Sequence, residues 1–265
     1  MKGVSEAVVI VIIAAVLITV SLTVFYFSLS SLEYSTITSE YGYIRTVFTN
    51  LANRIPDVLN GAGFGSGLPK RMVGVGYLSE HSELPIDYYD IEITVYGDNG
   101  VLLTYTDNPI RLYAKTNTPI ITRYRLIHGT NERVVRDTQL LVRVSEYYYR
   151  GSTYLVLDSA RVYIGLYEYN YIENNVVKKV LSIQALYVKL NVHIVSSNPT
   201  SLSANRGVDI INERFVDIAD LRLRFSNATY NEEIGLAQLV NTDVWNQYEH
   251  IILTLIVREI NVVLS

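Results

Sequence analysis

Cysteine is absent from this 265-residue chain, and histidine, methionine and tryptophan are rare. A chain without cysteine has no disulfide framework and no thiolate chemistry, so its fold must rest on an apolar core. The Gly-x-Ser-x-Gly motif of serine hydrolases is also absent. None of the four histidines has a metal-ligand spacing to another; they are His81, His128, His193 and His250. We therefore expect neither an enzyme nor a cofactor-binding protein.

Charge is missing from one long stretch near the N-terminus, between Glu6 and Glu33. Fifteen of the residues from 7 to 29 are Val, Ile, Leu or Phe. A helix of ~20 apolar residues crosses the hydrocarbon core of a bilayer, so this stretch can span it with some tilt. At roughly −0.3 to −0.6 kcal/mol each, the fifteen side chains favour insertion by about 5 to 9 kcal/mol. The sequence therefore predicts a membrane-spanning helix.

The residues that flank this helix do not match an ordinary secretory signal, in which a small-residue cleavage site follows a shorter apolar stretch. Here no Ala-x-Ala follows, and the small residue Gly3 precedes the apolar stretch, directly after Lys2. This arrangement resembles the class III signal of type IV pilins, particularly archaeal ones, over residues 1–60. The resemblance implies that prepilin peptidase removes residues 1–3 as a leader. The mature protein would then begin at Val4 with its apolar helix intact.

Glu6 has two interpretations. In bacterial pilins the fifth residue of the mature chain is acidic and is thought to pair with the N-terminal amine of a neighbouring subunit. Glu6 would be the third residue here, and the resemblance implies an assembly role for it. Alternatively, Glu6 is a charge at the level of the lipid headgroups, where it favours the positive end of the helix dipole.

An apolar seam extends the helical pattern beyond the membrane-spanning stretch. Its members are alternately four and three residues apart, which keeps them on one face of a helix. Pro56 has no N–H and is expected to end or kink this helix. We predict a helix over residues 4–60 whose seam contacts the protein's own head domain and neighbouring helices; an anchor whose stalk packs only on its own domain is the alternative. The seam residues are Ile37, Tyr41, Ile44, Phe48, Leu51, Ile55 and Val58.

The segment 61–69 has glycine at every second position up to Gly67. A nucleotide-binding loop would need Gly-x-Gly-x-x-Gly between a strand and a helix, but the sixth position here is Ser66. We expect instead a flexible joint between the helix and the head.

Residues 70–265 have the pattern of a β-rich head. Apolar and polar residues alternate over residues 90–97, and Asp98-Asn99-Gly100 supplies a turn to a returning strand. Residues 153–171 predict one long strand, which Asn174-Asn175 turns into an antiparallel partner over residues 176–195. Residues 231–240 predict a short capped helix. The expected fold class is α+β, a long N-terminal helix followed by an antiparallel β-sandwich head.

The apolar positions of the strand over residues 176–195 change phase. Leu181, Ile183 and Ala185 are odd-numbered, and the later apolar residues are even-numbered. A two-residue period cannot keep both sets on one face, so we expect a β-bulge or a switch between sheets near Ala185. The even-numbered set, which we expect to be buried, is Leu186, Val188, Leu190, Val192 and Ile194.

The last strand, over residues 251–257, is apolar at every position except Thr254. A strand of this composition is typically covered on both faces. We therefore expect Leu253 and Leu255 to be buried, and we expect the head without the helix, residues 70–265, to be soluble.

Tyrosine is abundant, with 22 residues against six phenylalanines. Tyr147–Tyr149, Tyr88-Tyr89 and the stripe from Tyr163 to Tyr171 predict either contact surfaces or ordinary cross-strand packing. Asn227 begins the only permitted Asn-x-Ser/Thr sequon and is a candidate glycan site outside the cell.

These features together predict a pilin-like subunit of an archaeal type IV pilus-like surface filament, a minor or adhesive pilin that is membrane-anchored before assembly. Its expected partners are prepilin peptidase, copies of itself or other pilins, the membrane and a cell-envelope or surface ligand. The net charge of −4 with mixed signs does not suggest nucleic acid as a partner. The alternatives are a non-polymerising, membrane-anchored β-domain protein, such as an archaellum accessory protein, and a small-ligand binding protein with a deep pocket.

Overall fold

The computed structural model describes residues 2–69, 73–78, 89–227, 230–240 and 247–265, with the side chains of the N-terminal helix described from Val8 onward. One long helix, α1 (Lys2–Leu59), precedes a head in which most residues form strands. The head also contains a 3₁₀ turn (Thr138–Leu140) and a one-turn helix, α2 (Leu236–Leu239). The fold is therefore α+β, as the sequence predicts.

Helix α1 continues through Pro56 and ends at Leu59. Gly61 has a φ of 99°, which favours glycine because it has no Cβ. The N–H groups of Gly61 and Ala62 donate to the carbonyls of Val58 and Asp57, at 2.9 and 3.0 Å. This is the Schellman arrangement, in which a residue with positive φ satisfies the last carbonyls of a helix. The glycine after the helix, rather than the proline inside it, therefore marks its end.

The strands of the described residues, numbered in chain order, form three sheets. A six-stranded central sheet has the order β1 (Phe64–Gly67), β12 (Ser201–Val216), β15 (His250–Leu264), β11 (Val176–Ile194), β10 (Val162–Glu173), β7 (Val134–Val135). A four-stranded sheet has the order β14 (Asn231–Gly235), β13 (Asp220–Ser226), β3 (Asp90–Gly97), β4 (Gly100–Asp107). A five-stranded sheet has the order β2 (Gly74–Leu78), β5 (Arg111–Thr116), β9 (Ser152–Asp158), β8 (Arg143–Tyr149), β6 (Arg125–His128).

Two apolar cores lie on opposite faces of the central sheet. One core contains side chains of α1, the five-stranded sheet and the central sheet, so the helix is part of the head. The other core contains side chains of the four-stranded sheet and the central sheet. A sheet covered on both faces needs strands that are apolar on both faces. The head is thus built as two β-sandwiches that share the central sheet.

The phase change in β11 has a different cause from the one expected. Its pairing with β10 and β15 is continuous through Ala185, with no bulge and no switch between sheets. The odd-numbered residues Ile183 and Ala185 face the core shared with the four-stranded sheet, and the even-numbered Val188 and Leu190 face the core that contains α1. One face of β11 therefore contributes to each core, and the pairing is unbroken where the apolar positions change phase. Of the even-numbered set, Val192 is only partly buried and Ile194 is exposed.

Strand β15 makes the same change beside β11. The two strands are parallel and pair Ala185 with Leu255 and Leu190 with Ile260. Leu253 and Leu255 are fully buried, as predicted, in the core shared with the four-stranded sheet, while Ile260 faces the core that contains α1. The register shifts of the central sheet lie in β12 instead, between Arg206 and Ile211.

The hairpin from β10 to β11 is antiparallel, and Asn174 and Asn175 have φ values of 52° and 61°. Two residues with positive φ are what a two-residue hairpin turn requires, so this prediction is confirmed. The hairpin from β3 to β4 is also formed, with Ile91 and Ile93 fully buried.

Three local predictions require correction. Residues 153–171 form two strands in two sheets, because the chain turns at Ser159–Arg161, where the Asp158 carboxylate accepts from the N–H of Ala160 at 3.1 Å. The segment expected to be a flexible joint contains β1, which pairs with β12. Residues 231–235 form an edge strand rather than the start of a helix, since they pair with β13.

Candidate membrane anchor and assembly surface

The inner half of α1 stands free of the head. Every residue from 8 to 36 is exposed, and the most apolar part of the helix has no buried residue. At ~1.5 Å per residue this segment is about 43 Å long, and a bilayer core is about 30 Å thick. Because apolar side chains cover its whole circumference, this segment needs lipid or other helices around it.

The outer half of α1 begins abruptly at Ile37, the first buried side chain after Val8. From Tyr41 to Val58 the predicted seam lies within the core that α1 shares with the central and five-stranded sheets. Every seam residue is at most 7% exposed: Ile37, Tyr41, Ile44, Phe48, Leu51, Ile55 and Val58. The seam is thus covered by the protein's own head.

A charged group fixes the helix where it enters the head. The fully buried carboxylate of Glu146, on β8, lies 3.6 Å from Arg45 on α1 and 2.8 Å from Arg125 on β6. At the other end, Arg258 of β15 donates to the Leu59 carbonyl at 3.0 Å and binds Asp209 through two further nitrogens. These contacts orient the free helical segment relative to the head.

The four residues of the predicted processing and pairing sites are Lys2, Gly3, Val4 and Glu6. Their backbone belongs to α1, but their side chains lie outside the described part of the chain. The structure therefore adds no geometry to these predictions.

The tyrosines do not form one surface. Tyr163 and Tyr89 are buried, and Tyr147 is half-buried beside Tyr124, with ring centroids 5.1 Å apart. Among the tyrosines of the three predicted groups, the exposed ones are Tyr148 on β8 and Tyr167 and Tyr169 on β10. Tyr88 lies outside the described residues. Most of these tyrosines serve packing within the head.

Asn227 lies in the connection between β13 and β14. Its side-chain carbonyl accepts from the Tyr230 N–H at 2.7 Å, and its own N–H donates to the Tyr230 carbonyl at 2.8 Å. The other two sequon residues, 228 and 229, lie outside the described residues.

Within the described ranges, no group of three or more His, Asp or Glu side chains could hold a metal ion. His193 is exposed near the end of β11. Tyr187, six residues earlier on the same face of β11, is instead fully buried, and its hydroxyl donates to Asp107 at 2.6 Å. Burial and the Asp107 charge raise the pKa of Tyr187 well above its usual range.

A buried cluster of arginines is the feature that sequence reasoning missed. Arg111, Arg143 and Arg161 surround the carboxylate of Asp158 at 3.1, 3.1 and 3.5 Å. All four side chains are at most 9% exposed. Each arginine stands at or next to the start of a strand, where sequence reasoning assigns a solvated charge. A preference for the interior could not be read from such positions.

Comparisons of this chain with family models, with curated proteins and with solved structures find no match.

Proposed function

We propose that this chain is a type IV pilin-like subunit of a cell-surface filament, anchored in the membrane before assembly. The observation that carries the proposal is the division of α1 into a free apolar inner half and an outer half built into the head. Such a helix can lie in lipid, and it can later pack against the inner halves of other copies. Cleavage after Gly3, which follows Lys2, would leave this helix at the N-terminus of the mature protein.

In this function the head faces outside the cell and the inner half of α1 polymerises. Interfaces between apolar helices in lipid gain little from the hydrophobic effect, so packing must drive association. Once a subunit leaves the bilayer, burial of each large apolar side chain contributes roughly 1.5–3 kcal/mol. The free segment of residues 8–36 therefore supplies the assembly energy, while the buried seam only joins helix to head.

The alternative is a membrane-anchored β-domain protein that does not polymerise, such as an archaellum accessory protein. It is favoured by the burial of the whole seam in the protein's own head, which leaves no seam residue for a neighbouring subunit. The two functions differ in whether residues 8–36 bind lipid alone or other helices.

Processing provides the first test. We expect mass-spectrometric mapping of the mature protein to find Val4 at its N-terminus with the apolar helix retained. Replacing Gly3 by a bulky residue should block the cut, whereas replacing Ser5 should not. A mature N-terminus beyond residue 25 would indicate ordinary signal peptidase and would refute the pilin-like function.

A charge inside the free segment separates anchoring from assembly. Ala15→Arg should cost about 2.5–3.5 kcal/mol of membrane insertion, less than the roughly 5–9 kcal/mol that the segment supplies. The variant should therefore stay in the membrane fraction but form no fibres, because an unpaired charge is too costly in a helical core. Ala15→Leu is the matched control and should both stay in the membrane fraction and form fibres. Fibres formed by Ala15→Arg would contradict the proposed assembly surface.

A further inference from the structure

A lysine and an aspartate from two different sheets meet inside the head. Nζ of Lys189, on β11 of the central sheet, lies 2.6 Å from Oδ1 of Asp107, the last residue of β4 in the four-stranded sheet. The Asp107 side chain is only 4% exposed, and that of Lys189 is 33% exposed. The two residues are 82 positions apart in the sequence. A covalent bond between them would therefore join the two layers of this sandwich.

The other oxygen of Asp107 accepts a hydrogen bond from a tyrosine. The hydroxyl of the fully buried Tyr187 donates to Oδ2 at 2.6 Å, and its raised pKa keeps it protonated as a donor. A second hydroxyl, that of Tyr105, is buried and has no hydrogen-bond partner among the described residues. Burial raises the pKa of Tyr105, and the charges of Asp107 and Glu259 add to this effect. The Asp107 carboxyl group thus has a bound donor at one oxygen and the lysine at the other.

A second carboxylate stands on the strand beside the lysine. Glu259 of β15 is the register partner of Lys189 in the parallel pair of β11 and β15. It is half-buried, and its Oε1 lies against Gly207 of β12, where a Cβ would be 2.9 Å away. Paired strands are about 4.8 Å apart, so a turn of the Glu259 side chain brings its carboxylate to the lysine nitrogen. Glu259 can therefore accept a proton from that nitrogen.

We propose that Lys189 and Asp107 form an intramolecular amide bond between Nζ and Cγ, with loss of one water molecule. The ion pair keeps two charges in a largely buried place, where the loss of hydration is costly, whereas an amide carries no charge. The fold holds the two groups in contact, so the reaction needs no encounter and no further reactant. In a chain without cysteine, this bond closes a long loop as a disulfide does in other proteins.

The reaction balances with the groups present. The Lys189 ammonium first gives a proton to Oδ1 of Asp107, which leaves an uncharged amine and an uncharged carboxylic acid. The nitrogen lone pair then attacks Cγ, and the C=O electrons move to Oδ2, where the Tyr187 hydroxyl stabilises the oxyanion. Glu259 takes a proton from the nitrogen and passes it to the Oδ1 hydroxyl. The Cγ–Oδ1 bond breaks and releases water, the C=O bond re-forms, and nothing is oxidised or reduced.

The test is mass spectrometry of the denatured full-length protein. Its mass should be lower by one water molecule than the mass calculated for its mapped termini. Protease digestion should then give one fragment in which the peptides that contain Asp107 and Lys189 are joined. The full calculated mass would overturn the proposal and leave an ordinary ion pair. A water loss confined to a single peptide, as when an aspartate cyclises onto its own backbone, would overturn it as well.

A lysine variant locates the bond. Lys189→Arg keeps the positive charge, but a guanidinium does not lose its proton in proteins and cannot attack the carboxyl group. This variant should have the full calculated mass and should give no joined peptides. Lys179→Arg, at an exposed position on the same strand, is the matched control and should keep the water loss. A joined fragment in Lys189→Arg would exclude Lys189. The first measurement uses the unchanged protein, so the proposal is tested even if Lys189→Arg does not fold.

A glutamate variant tests the proton transfer. Glu259→Gln should slow the bond formation by about a hundred-fold or more, because the amide side chain cannot carry the proton. The measurement is the fraction of joined fragment at successive times after synthesis. Glu213→Gln, at an exposed position on β12, should join as fast as the unchanged protein. Equal rates in Glu259→Gln and Glu213→Gln would overturn the role of Glu259. The amide bond itself does not depend on whether the chain polymerises.

Discussion

Removal of residues 1–34 should leave a folded, soluble head, whereas removal of residues 1–69 should not. The second cut deletes six seam side chains that are at most 2% exposed: Tyr41, Ile44, Phe48, Leu51, Ile55 and Val58. At roughly 1.5–3 kcal/mol each, their burial contributes about 9–18 kcal/mol. A domain is stable by only about 5–15 kcal/mol, so this loss is as large as the whole stability. The structure thus changes the sequence-based expectation that residues 70–265 form a soluble head.

Urea unfolding followed by circular dichroism tests this reasoning. The fragment of residues 35–265 should unfold in one cooperative transition, and the fragment of residues 70–265 should show no transition and should aggregate. Equal transition midpoints for the two fragments would show that the helix is not part of the core.

A single substitution tests the same point in the longer fragment. Phe48→Ala should lower the free energy of unfolding by about 3–5 kcal/mol, because it leaves a cavity in the core. Tyr43→Ala, on the exposed side of the same helix, should change it by no more than about 0.5 kcal/mol. Similar losses for the two variants would refute the packing described for α1.

Two further predictions concern the head. Leu253→Ala should cost about 2–5 kcal/mol of unfolding free energy in denaturant titrations, whereas Leu102→Ala, at an exposed site on β4, should cost little; a loss below about 1 kcal/mol for Leu253→Ala would contradict the doubly covered central sheet. Asp158→Asn should cost about 3–5 kcal/mol at pH 7, since it leaves buried guanidinium groups without their carboxylate. The pKa of Asp158 is lower in the folded chain than its usual value near 3.8, so the carboxylate contributes its full stabilisation above that pH and loses it as the pH falls further. The free energies of unfolding of the two proteins should therefore converge only below about pH 4. A constant difference between them down to pH 2 would exclude this linkage.

Local patterns predicted the parts of the fold that depend on local chemistry. The seam spacing predicted which face of α1 is buried, and Asn174-Asn175 predicted the hairpin because both residues tolerate positive φ. The alternation over residues 90–97 likewise predicted the buried face of β3. In each case the determining residues are neighbours in the sequence.

The parts that the sequence did not predict depend on distant partners. A two-residue period states which residues share a face but not what covers that face, so from the sequence the phase change in β11 predicts a β-bulge or a switch between sheets. The parallel pairing of β11 with β15 joins residues about seventy positions apart. Asp158 and its arginines also come together only when three strands meet, so their charges could not be assigned to the interior beforehand.

The central claim, that the inner half of α1 assembles subunits into a filament, is tested most directly by electron microscopy of the native, processed protein. We expect fibres in which the apolar helices form the centre and the β-rich heads form the outer surface. Processed protein that remains monomeric or in small complexes in the membrane, with no filament, would contradict this account and establish the non-polymerising anchored protein instead.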